Sequence, residues 1–533
     1  AAAGAAAGGG GVNGSSAHST KHSAGAVLTV GLVSADFFTH SVSYFVEALL
    51  THSRETCLKL VCYSNTATLD SKSARFRSLV KDWRDIVGLH ATEVARQIQA
   101  DRVDILVDLS GHTAGNRLDL FALQSAPIQV AWIGYPNTTG LPTMQYRLTD
   151  HIADPEGTNQ KFTESLVRLP GPFLCYTPTD TLPPLPSQPP VCASGVVTFG
   201  SFNGLAKVND RVIRAWAAIL SLVPRSRLLL KAKPFASATV RRRMEVRLSR
   251  AGVPTSQVDL MPLVPSTAGH LSVYDNVDIS IDTFPYAGTT TTFEALVMGV
   301  PVVTYAPAPP LFNHAHSVGA TILSRLGCVA DLVAHSEQEY IQIAVSLAQS
   351  VDRLRSLRKN LRQTLLSSPL CDGPTFVKGL EQTLLSMYHL HNTTTISSSS
   401  SSCATCDISG TSVMQHGHGH VGHGATGIDT NSALQVPVPP GKFGKDKLIE
   451  AAEVETFGNG RNQEGEDKDL RDSSCRLQVK QDTGGGDGNG SLLYLKPAER
   501  TGSVNGKTAN EAGTCNGSSQ ANITLEAKTE SRG

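Results

Sequence analysis

Between residues 25 and 390 of the 533-residue chain, apolar positions follow two alternating patterns. Short runs rich in β-branched residues, typical of buried strands, are separated by longer segments in which apolar residues recur with the period of a helix. The first predicted strands are Val27–Val33, Leu58–Tyr63, Ile105–Leu109 and Gln129–Ile133. The segments predicted to form helices or helix-rich connections between them are Val80–Ala100 and Arg117–Gln124.

A second series with the same pattern begins at Val196. Its predicted strands are Val196–Phe199, Arg227–Lys231, Val258–Leu260, Ile279–Asp282 and Val302–Tyr305. Its predicted helices are Val208–Leu220, Ser237–Ala251 and Thr292–Met298. The first of these helices has one apolar face, formed by Val208, Val212, Ile213, Trp216, Ile219 and Leu220. Strands that alternate with helices favour parallel sheets with right-handed crossovers, so we expect an α/β fold.

The Pro-rich stretch "LPPLPSQPP", from Leu182 to Pro190, separates the two series and is predicted to be a linker between domains. Ligands bind at the carboxyl ends of strands in such sheets, so a cleft between two lobes is the expected site. The predicted organisation is a Rossmann-like N-terminal lobe at 25–181, the linker at 182–194, and a Rossmann-like C-terminal lobe at 195–390.

Composition and charge narrow the possible classes of protein. Residues 1–24 and 391–533 have no apolar period and few aromatic residues, so we predict that both are disordered low-complexity tails. The 46 basic residues balance the 46 acidic ones, and neither a nucleic acid nor a membrane surface is expected as a partner. No apolar run approaches the roughly 18–20 residues that span a bilayer, and no signal peptide is recognised. Ten cysteines without framework spacing indicate reduced thiols in an intracellular protein.

Four consecutive threonines, Thr289 to Thr292, lie between a predicted strand and a predicted helix. Thr291 and Glu294 have the spacing of a capping box, in which Thr291 caps the helix and Glu294 reaches back. A well-capped helix would account for this spacing by itself. However, Gly288 allows a close backbone approach, and the free N–H groups at the positive end of a helix suit a phosphate. The residues alone leave both interpretations open.

Lys207 and His40 follow predicted strands of the two lobes. Lys207 is either a solvated surface charge or a cation that neutralises a leaving diphosphate at the mouth of the second sheet. His40 is either an ordinary loop histidine or an acid/base group in the cleft. Two further loops with small and hydroxyl-bearing residues are expected at the edge of the first sheet, and their candidate cleft residues are His112, Tyr135, Asn137 and Thr138.

A metal site is not predicted. Cys403 and Cys406 stand near a cluster of four histidines, but this segment has low complexity and lacks zinc-finger spacing. The histidines are His416, His418, His420 and His423. Neither a phosphate-binding P-loop, nor a dinucleotide fingerprint, nor a nucleophile elbow is found.

Six blocks occur in order and together resemble the catalytic region of the O-GlcNAc transferase/SPINDLY family, most closely its SPINDLY branch. The resemblance covers roughly residues 27–390. The blocks are "ADFFTHSVSYF", "DILVDLSGHTAGNRL", "PIQVAWIGYPNTTGLPTMQYRLTD", "LVRLPGPFLCYTP", "VTFGSFNGLAKV" and "DISIDTFPYAGTTTTFEALVMGVPVVT".

The resemblance implies a GT-B fold and an inverting transfer, without a metal cofactor, from a nucleotide sugar to Ser and Thr hydroxyls of proteins in the nucleus and cytoplasm. His40 matches the family's cleft histidine, which acts as acid/base or orients the acceptor. Lys207, Thr290 and Thr291 match residues that contact the donor diphosphate. Glu294 matches the residue that contacts the ribose, and His270 lies near the family's donor-site histidine. Gly288 and Thr289 complete the expected donor-binding turn.

Three positions depart from the O-GlcNAc branch: Tyr44 and Thr289 replace histidines, and Gly204 replaces a glutamine. All three resemble the SPINDLY branch, which favours GDP-fucose over UDP-GlcNAc as the donor. The tetratricopeptide superhelix usual in the family is not found in this sequence, which leaves acceptor selection open. The alternatives are an O-GlcNAc transferase that uses UDP-GlcNAc and a non-catalytic module that binds a nucleotide sugar or a protein.

Overall fold

The computed structural model of the chain describes residues 27–308 and 311–400, with side chains up to residue 393. The predicted N-terminal tail, most of the predicted C-terminal tail and the cysteine and histidine cluster from Cys403 to His423 lie outside these residues. Among the described helices, none is long and apolar enough to cross a membrane.

The first lobe is built on a seven-stranded parallel sheet with the order β3-β2-β1-β4-β5-β6-β7. Its strands are β1 (Leu28–Ser34), β2 (Leu58–Ser64), β3 (Asp82–Asp85), β4 (Ile105–Asp108), β5 (Ile128–Ala131), β6 (Tyr146–Asp150) and β7 (Ser165–Leu169). Its helices are α1 (Ser43–His52), α2 (Ser71–Leu79), α3 (Ala91–Ala100) and α4 (Leu118–Ala122). The four strands predicted for this lobe are confirmed within two residues at each end.

Three strands of this lobe are absent from the sequence prediction. The prediction of helical structure over Val80–Ala100 is wrong at its start, because β3 occupies Asp82–Asp85. This edge strand is polar and only partly buried, so it lacks the apolar run that marks a central strand. Strand β6 is fully buried, but it carries Arg147, which interrupts the apolar pattern.

The second lobe contains a six-stranded parallel sheet with the order β10-β9-β8-β11-β12-β13. After α5 (Val191–Ser194), its strands are β8 (Val197–Ser201), β9 (Ser226–Lys231), β10 (Val258–Met261), β11 (Ile279–Ile281), β12 (Val302–Tyr305) and β13 (Val333–Ala334). Its helices are α6 (Asp210–Leu222), α7 (Ala238–Arg250), α8 (Thr267–Ser272), α9 (Thr290–Val297), α10 (His314–Leu323), α11 (Glu337–Gln349) and α12 (Val351–Leu366). All five predicted strands are present, and the whole predicted apolar face of α6 is buried.

The Pro-rich linker is packed against the second lobe. Pro183 and Pro189 are buried, and Arg362 of α12 donates a hydrogen bond to the carbonyl of Pro183 at 2.8 Å. The N–H of Val191 donates to the buried carboxylate of Asp278 at 2.9 Å. These contacts fix the path of the chain between the two sheets.

The last described helix, α13 (Gly373–Ser400), returns to the first lobe and packs against α1 and β7. Phe376 stacks on Trp132 with ring centroids 6.1 Å apart, and Glu381 accepts a hydrogen bond from the N–H of Cys57 at 2.6 Å. The assignment of residues 373–390 to the second lobe therefore needs correction. The helix also continues for ten residues past 390, because each residue added to an existing helix gains a hydrogen bond even in a Thr- and Ser-rich segment.

Candidate active site

Lys207 lies in a 3₁₀ turn between β8 and α6, at the carboxyl edge of the second sheet. Its ammonium group donates a hydrogen bond to the carbonyl of Ala287 at 2.8 Å and stands 3.7 Å from the ring centroid of Tyr286. Burial lowers the pKa of Lys207 to about 8, although the charge of Asp282 opposes this change. The lysine is thus held beside the turn that leads to the four threonines.

Asp282 anchors this turn through hydrogen bonds to its side chain. Its buried carboxylate accepts hydrogen bonds from the N–H of Gly288 at 2.7 Å, the N–H of Thr283 at 2.8 Å and the hydroxyl of Thr304 at 2.8 Å. The side-chain amide of Asn203 donates to the same carboxylate at 3.1 Å. Burial raises the pKa of Asp282, while these hydrogen bonds and the charge of Lys207 act in the opposite direction. Asp282 therefore joins the ends of β8, β11 and β12 to the turn.

Gly288 lies at the closest point of this turn. A Cβ atom at this position would lie 2.6 Å from the Thr291 hydroxyl and 2.8 Å from the Thr292 hydroxyl, so a side chain cannot fit without displacing them. Helix α9 begins two residues later, at Thr290. The turn thus brings a bare backbone and a helix N-terminus to one place, a combination that suits a phosphate.

The predicted capping box is wrong. Thr289 is the residue that precedes the helix, and it makes no side-chain cap hydrogen bond. The Thr291 hydroxyl instead donates to the side-chain oxygen of Asn203 at 3.2 Å. The Glu294 carboxylate lies 2.9 Å from Nε2 of His270 on α8. Since no side chain caps α9, its first N–H groups, which have no intrahelical partner, stay available to a ligand.

The cleft candidates of the first lobe form a separate group. His112 donates from Nε2 to the carbonyl of Thr139 at 2.8 Å, and its ring meets Tyr135 edge to face at 5.2 Å. The buried Arg147 pins this loop by donating to the carbonyls of Tyr135 and Asn137, both at 2.9 Å. Burial raises the pKa of Tyr286 in the second lobe, and the nearby Tyr135 adds to this effect. Tyr135, whose ring contacts His112, thus lies near Tyr286, the residue whose ring Lys207 contacts.

Asn137 and Thr138 contribute to the structure of the loop itself. The Asn137 side-chain oxygen accepts from Gln160 at 2.7 Å, and the Thr138 hydroxyl donates to Glu164 at 2.6 Å. Both side chains are therefore engaged within the first lobe.

His40 lies in the loop between β1 and α1, with its side chain 41% exposed. Its Nδ1 is 3.5 Å from the Asp36 carboxylate and 3.4 Å from the N–H of Val42. Its ring stacks on Phe38 with centroids 5.6 Å apart. All of these contacts lie within its own loop and the start of α1, and none of them involves the residues around Lys207. The imidazole is therefore partly exposed to solvent, and its role in the chemistry stays a prediction.

Aromatic side chains connect α9 to the first lobe. Phe293, three residues into the helix, stacks on Tyr176 with ring centroids 4.7 Å apart and planes at 14°. It also meets Phe45 of α1 edge to face at 5.5 Å. The helix that begins at the candidate phosphate site is therefore packed against the helix that follows the His40 loop.

The three positions that depart from the O-GlcNAc branch all lie around this site. Gly204 immediately precedes the turn that carries Lys207, and Thr289 immediately precedes α9. Burial raises the pKa of the Tyr44 hydroxyl, the charge of Glu294 adds to this, and a hydrogen bond with Thr267 of α8 opposes it. Tyr44, on α1 of the first lobe, therefore reaches α8 of the second lobe, the helix that carries His270.

Asp282 and Asn203 are site residues that the sequence analysis did not single out. Both lie in quoted blocks, Asp282 as the last residue of one predicted strand and Asn203 four residues after another. An ionisable residue at the carboxyl end of a buried strand was the signal for Asp282. Its function as an anchor depends on donors from three separate segments, which no local pattern displays.

Comparison with known proteins places these residues in a family. The model of glycosyl transferase family 41 matches residues 14–189 and 190–380. The SPINDLY protein of Hordeum vulgare, named a probable UDP-N-acetylglucosamine-peptide N-acetylglucosaminyltransferase, is 50% identical over 366 residues, which are 68% of this chain and 38% of that protein. The SEC protein of Arabidopsis thaliana, named in the same way, is 31% identical over 377 residues, 68% of this chain and 37% of that protein.

A variant of the Thermobaculum terrenum O-GlcNAc transferase is a structural relative, with a TM-score of 0.64 and 34% identity over 70% of this chain and 69% of that one. Together with the two parallel sheets, this likeness confirms the predicted GT-B fold. The chain spans about two fifths of the length of the SPINDLY relatives that it matches.

Proposed function

The chain belongs to glycosyltransferase family 41, and on that basis we propose that it transfers a sugar from a nucleotide donor to Ser and Thr hydroxyls of proteins. The observation that carries this proposal is the placement of Lys207 beside Gly288 and the start of α9. A lysine and a helix N-terminus that converge on one bare turn form a site for a diphosphate.

In the proposed reaction, the acceptor oxygen attacks the anomeric carbon and the bond from that carbon to the diphosphate oxygen breaks. The electron pair of that bond remains on the nucleoside diphosphate, so negative charge grows there toward the transition state. Lys207 would leave the carbonyl of Ala287 for the diphosphate, and the N–H groups of Thr290 and Thr291 would donate to its oxygens. Stabilising this growing charge is the largest contribution that we assign to the second lobe.

The proton of the acceptor hydroxyl needs a base on the side of the first lobe. His40 is our candidate, since a hydrogen on Nδ1 that points at the Asp36 carboxylate, 3.5 Å away, would leave Nε2 unprotonated and able to accept the proton. An imidazole suits this task because its unperturbed pKa lies near neutrality. His112 and Tyr135 stand closer to the Lys207 region, and we propose that they help to position the sugar or the acceptor.

For the donor we propose GDP-fucose, because Tyr44, Gly204 and Thr289 resemble the SPINDLY branch at three positions around the site. The second candidate is UDP-GlcNAc, which the names of the SPINDLY and SEC relatives favour. The proposed partners are thus a nucleotide sugar and intracellular acceptor proteins, in the nucleus and the cytoplasm. We propose that no metal cofactor takes part, since a lysine and a helix end supply the positive charge at the diphosphate.

The test is to incubate the chain with an acceptor-protein mixture and radiolabelled GDP-fucose or UDP-GlcNAc in parallel. Labelling of protein from GDP-fucose in preference to UDP-GlcNAc supports the proposal. Equal or greater labelling from UDP-GlcNAc assigns the second donor instead. Nucleotide binding without labelling from either donor favours the remaining candidate, a non-catalytic module that binds nucleotide sugars.

A further inference from the structure

A second buried lysine stands at the end of β9, the strand next to β8 in the second sheet. Lys231 is 4% exposed, and its ammonium group contacts Nδ1 of His270. The same ammonium lies 4.9 Å from the ring centroid of Phe202. On its other side, the His270 ring presents Nε2 to Glu294 at 2.9 Å. Lys231, His270 and Glu294 thus form a continuous chain from the interior of the lobe to the first turns of α9.

The chemistry of the two end groups determines where the hydrogen atoms of His270 lie. A lysine ammonium can only donate hydrogen bonds, and an ionised carboxylate can only accept them. Nδ1 must therefore accept from Lys231, and Nε2 must carry a hydrogen that it donates to Glu294. In a neutral imidazole only one nitrogen carries a hydrogen, so the contact at one nitrogen decides what the other can do.

We propose that Lys231 is a positioning residue of the donor site, which holds His270 in its Nε2–H tautomer and thereby fixes the Glu294 carboxylate in the orientation that binds the donor nucleoside. This inference rests on the proposed function only for the identity of the ligand. Lys231 is not among the site residues that the family resemblance implies, and it does not itself need to touch the ligand.

Removal of Lys231 changes the contact between His270 and Glu294. Without a donor at Nδ1, only the Glu294 carboxylate still favours the hydrogen on Nε2. Part of the population can then carry the hydrogen on Nδ1, which leaves an unprotonated Nε2 facing the carboxylate. Two hydrogen-bond acceptors at 2.9 Å repel each other, so Glu294 or His270 must turn away. His270 donates to one oxygen of Glu294 at 2.9 Å, so the loss of that donor releases this oxygen. We therefore expect the loss of Lys231 to weaken ligand binding more than it lowers the stability of the fold.

The first measurement needs no nucleotide. Ring nitrogen NMR of the histidine-labelled chain reports the tautomer of each imidazole, and a His270→Gln sample identifies the signal of His270. We expect a protonated Nε2 and an unprotonated Nδ1 in the wild type, and a mixture of tautomers in Lys231→Met. A His270 that carries its hydrogen on Nδ1 in the wild type, or a tautomer that Lys231→Met leaves unchanged, would overturn the proposal whether or not the proposed function is right.

The second measurement asks whether Lys231 acts through His270. Binding of GDP, and of UDP in parallel, is measured by calorimetry for Lys231→Met, His270→Ala and the double variant. We expect Lys231→Met to weaken nucleotide binding about tenfold in the wild-type background and to have no further effect beside His270→Ala. An equal loss in both backgrounds would mean that Lys231 acts directly by its charge, which contradicts a positioning role.

Lys233 provides the matched control, because it lies two residues further along the chain and is exposed. Lys233→Met should leave both the His270 tautomer and GDP binding unchanged. Thermal unfolding of each variant separates a loss of binding from a loss of fold. Because burying a charged lysine is unfavourable, Lys231→Met is expected to unfold at the wild-type temperature or above it.

Discussion

The ammonium group of Lys207 donates a hydrogen bond to the carbonyl of Ala287 at 2.8 Å, the residue directly before Gly288. The lysine is thus held by the backbone of the turn that we propose binds the diphosphate. A carbonyl carries only a partial charge, whereas a diphosphate carries full negative charges. The ligand therefore offers Lys207 a stronger partner than the one it has, and exchange of partners is favourable when the donor enters.

The pKa of Lys207 predicts how activity depends on pH. Burial lowers it to about 8, and only the protonated form can balance the charge of the leaving group. We therefore expect kcat/KM to be independent of this group below pH 8 and to fall as the pH rises above it. Since bound diphosphate favours the charged lysine, the fall in kcat should occur at a higher pH than the fall in kcat/KM.

Burial also lowers the pKa of Lys231 to about 8, so both lysines titrate in the same range. Repeating the profile with Lys231→Arg separates them, because a guanidinium stays charged throughout this range. The alkaline fall should persist in that variant. A flat profile up to pH 10 in the wild type would contradict the assignment of Lys207.

Gly288→Ala tests the shape of the turn. The added methyl group would lie 2.6 Å from the Thr291 hydroxyl and 2.8 Å from that of Thr292, so the start of α9 must shift. Misplacement of catalytic groups by about 1 Å can reduce the rate on the order of 10²-fold, and we expect a loss of that size in kcat/KM. Gly327→Ala, at an exposed glycine with open space around it, should have wild-type activity. Full activity of Gly288→Ala would exclude a close approach of the ligand here.

His40→Ala is expected to slow the chemical step and to leave nucleotide binding unchanged, because His40 lies in the first lobe, apart from Lys207 and the threonines. If His40 is the base, kcat should fall by roughly 10²–10⁴-fold, while the Kd for GDP measured by calorimetry stays at the wild-type value. His151→Ala, at an exposed position in the same lobe, serves as the control. A variant that loses GDP affinity but keeps its kcat would place His40 in the donor site instead.

Transfer is expected to survive EDTA. We propose that the positive charge that a metal supplies in other transferases comes here from Lys207 and from the N-terminus of α9, which contributes about half an elementary charge. Initial rates with excess chelator should equal those without it. Loss of turnover that Mg²⁺ or Mn²⁺ restores would show that a metal cation helps to balance the charge of the diphosphate.

The sequence was sufficient to predict the elements that have a local pattern of residues. Strands such as Ile105–Asp108 are buried on both faces and therefore show runs of apolar residues rather than an alternating pattern. The carboxyl ends of such strands locate His112 and Lys207. Strand β6 was missed because Arg147 is buried there for its hydrogen bonds to the loop of Tyr135 and Asn137. That contact spans separate segments and leaves no periodic signal.

The same limit applies to the candidate site. The spacing of Thr291 and Glu294 satisfies a local motif, yet Glu294 contacts His270, which lies 24 residues earlier in the chain. Glu294 bonds to the distant His270 instead of reaching back to the start of its own helix. His270 offers the charged carboxylate a hydrogen-bond donor that Lys231 holds in position. Likewise, the sequence around Tyr44 predicts only a helical residue. Its hydrogen bond with Thr267 of the second lobe becomes apparent only in the folded structure.

The most direct measurement of the proposed function is sugar transfer by the Lys207→Ala protein, assayed with GDP-fucose and UDP-GlcNAc beside the wild type and the exposed-lysine control Lys233→Ala. Because charge on the leaving group grows toward the transition state, we expect Lys207→Ala to fold normally and to lose at least about 10²-fold in kcat/KM, mostly in kcat. Lys207→Arg should restore little, since a planar guanidinium differs in shape from an ammonium. Wild-type transfer by a folded Lys207→Ala protein would contradict the assignment of the diphosphate site.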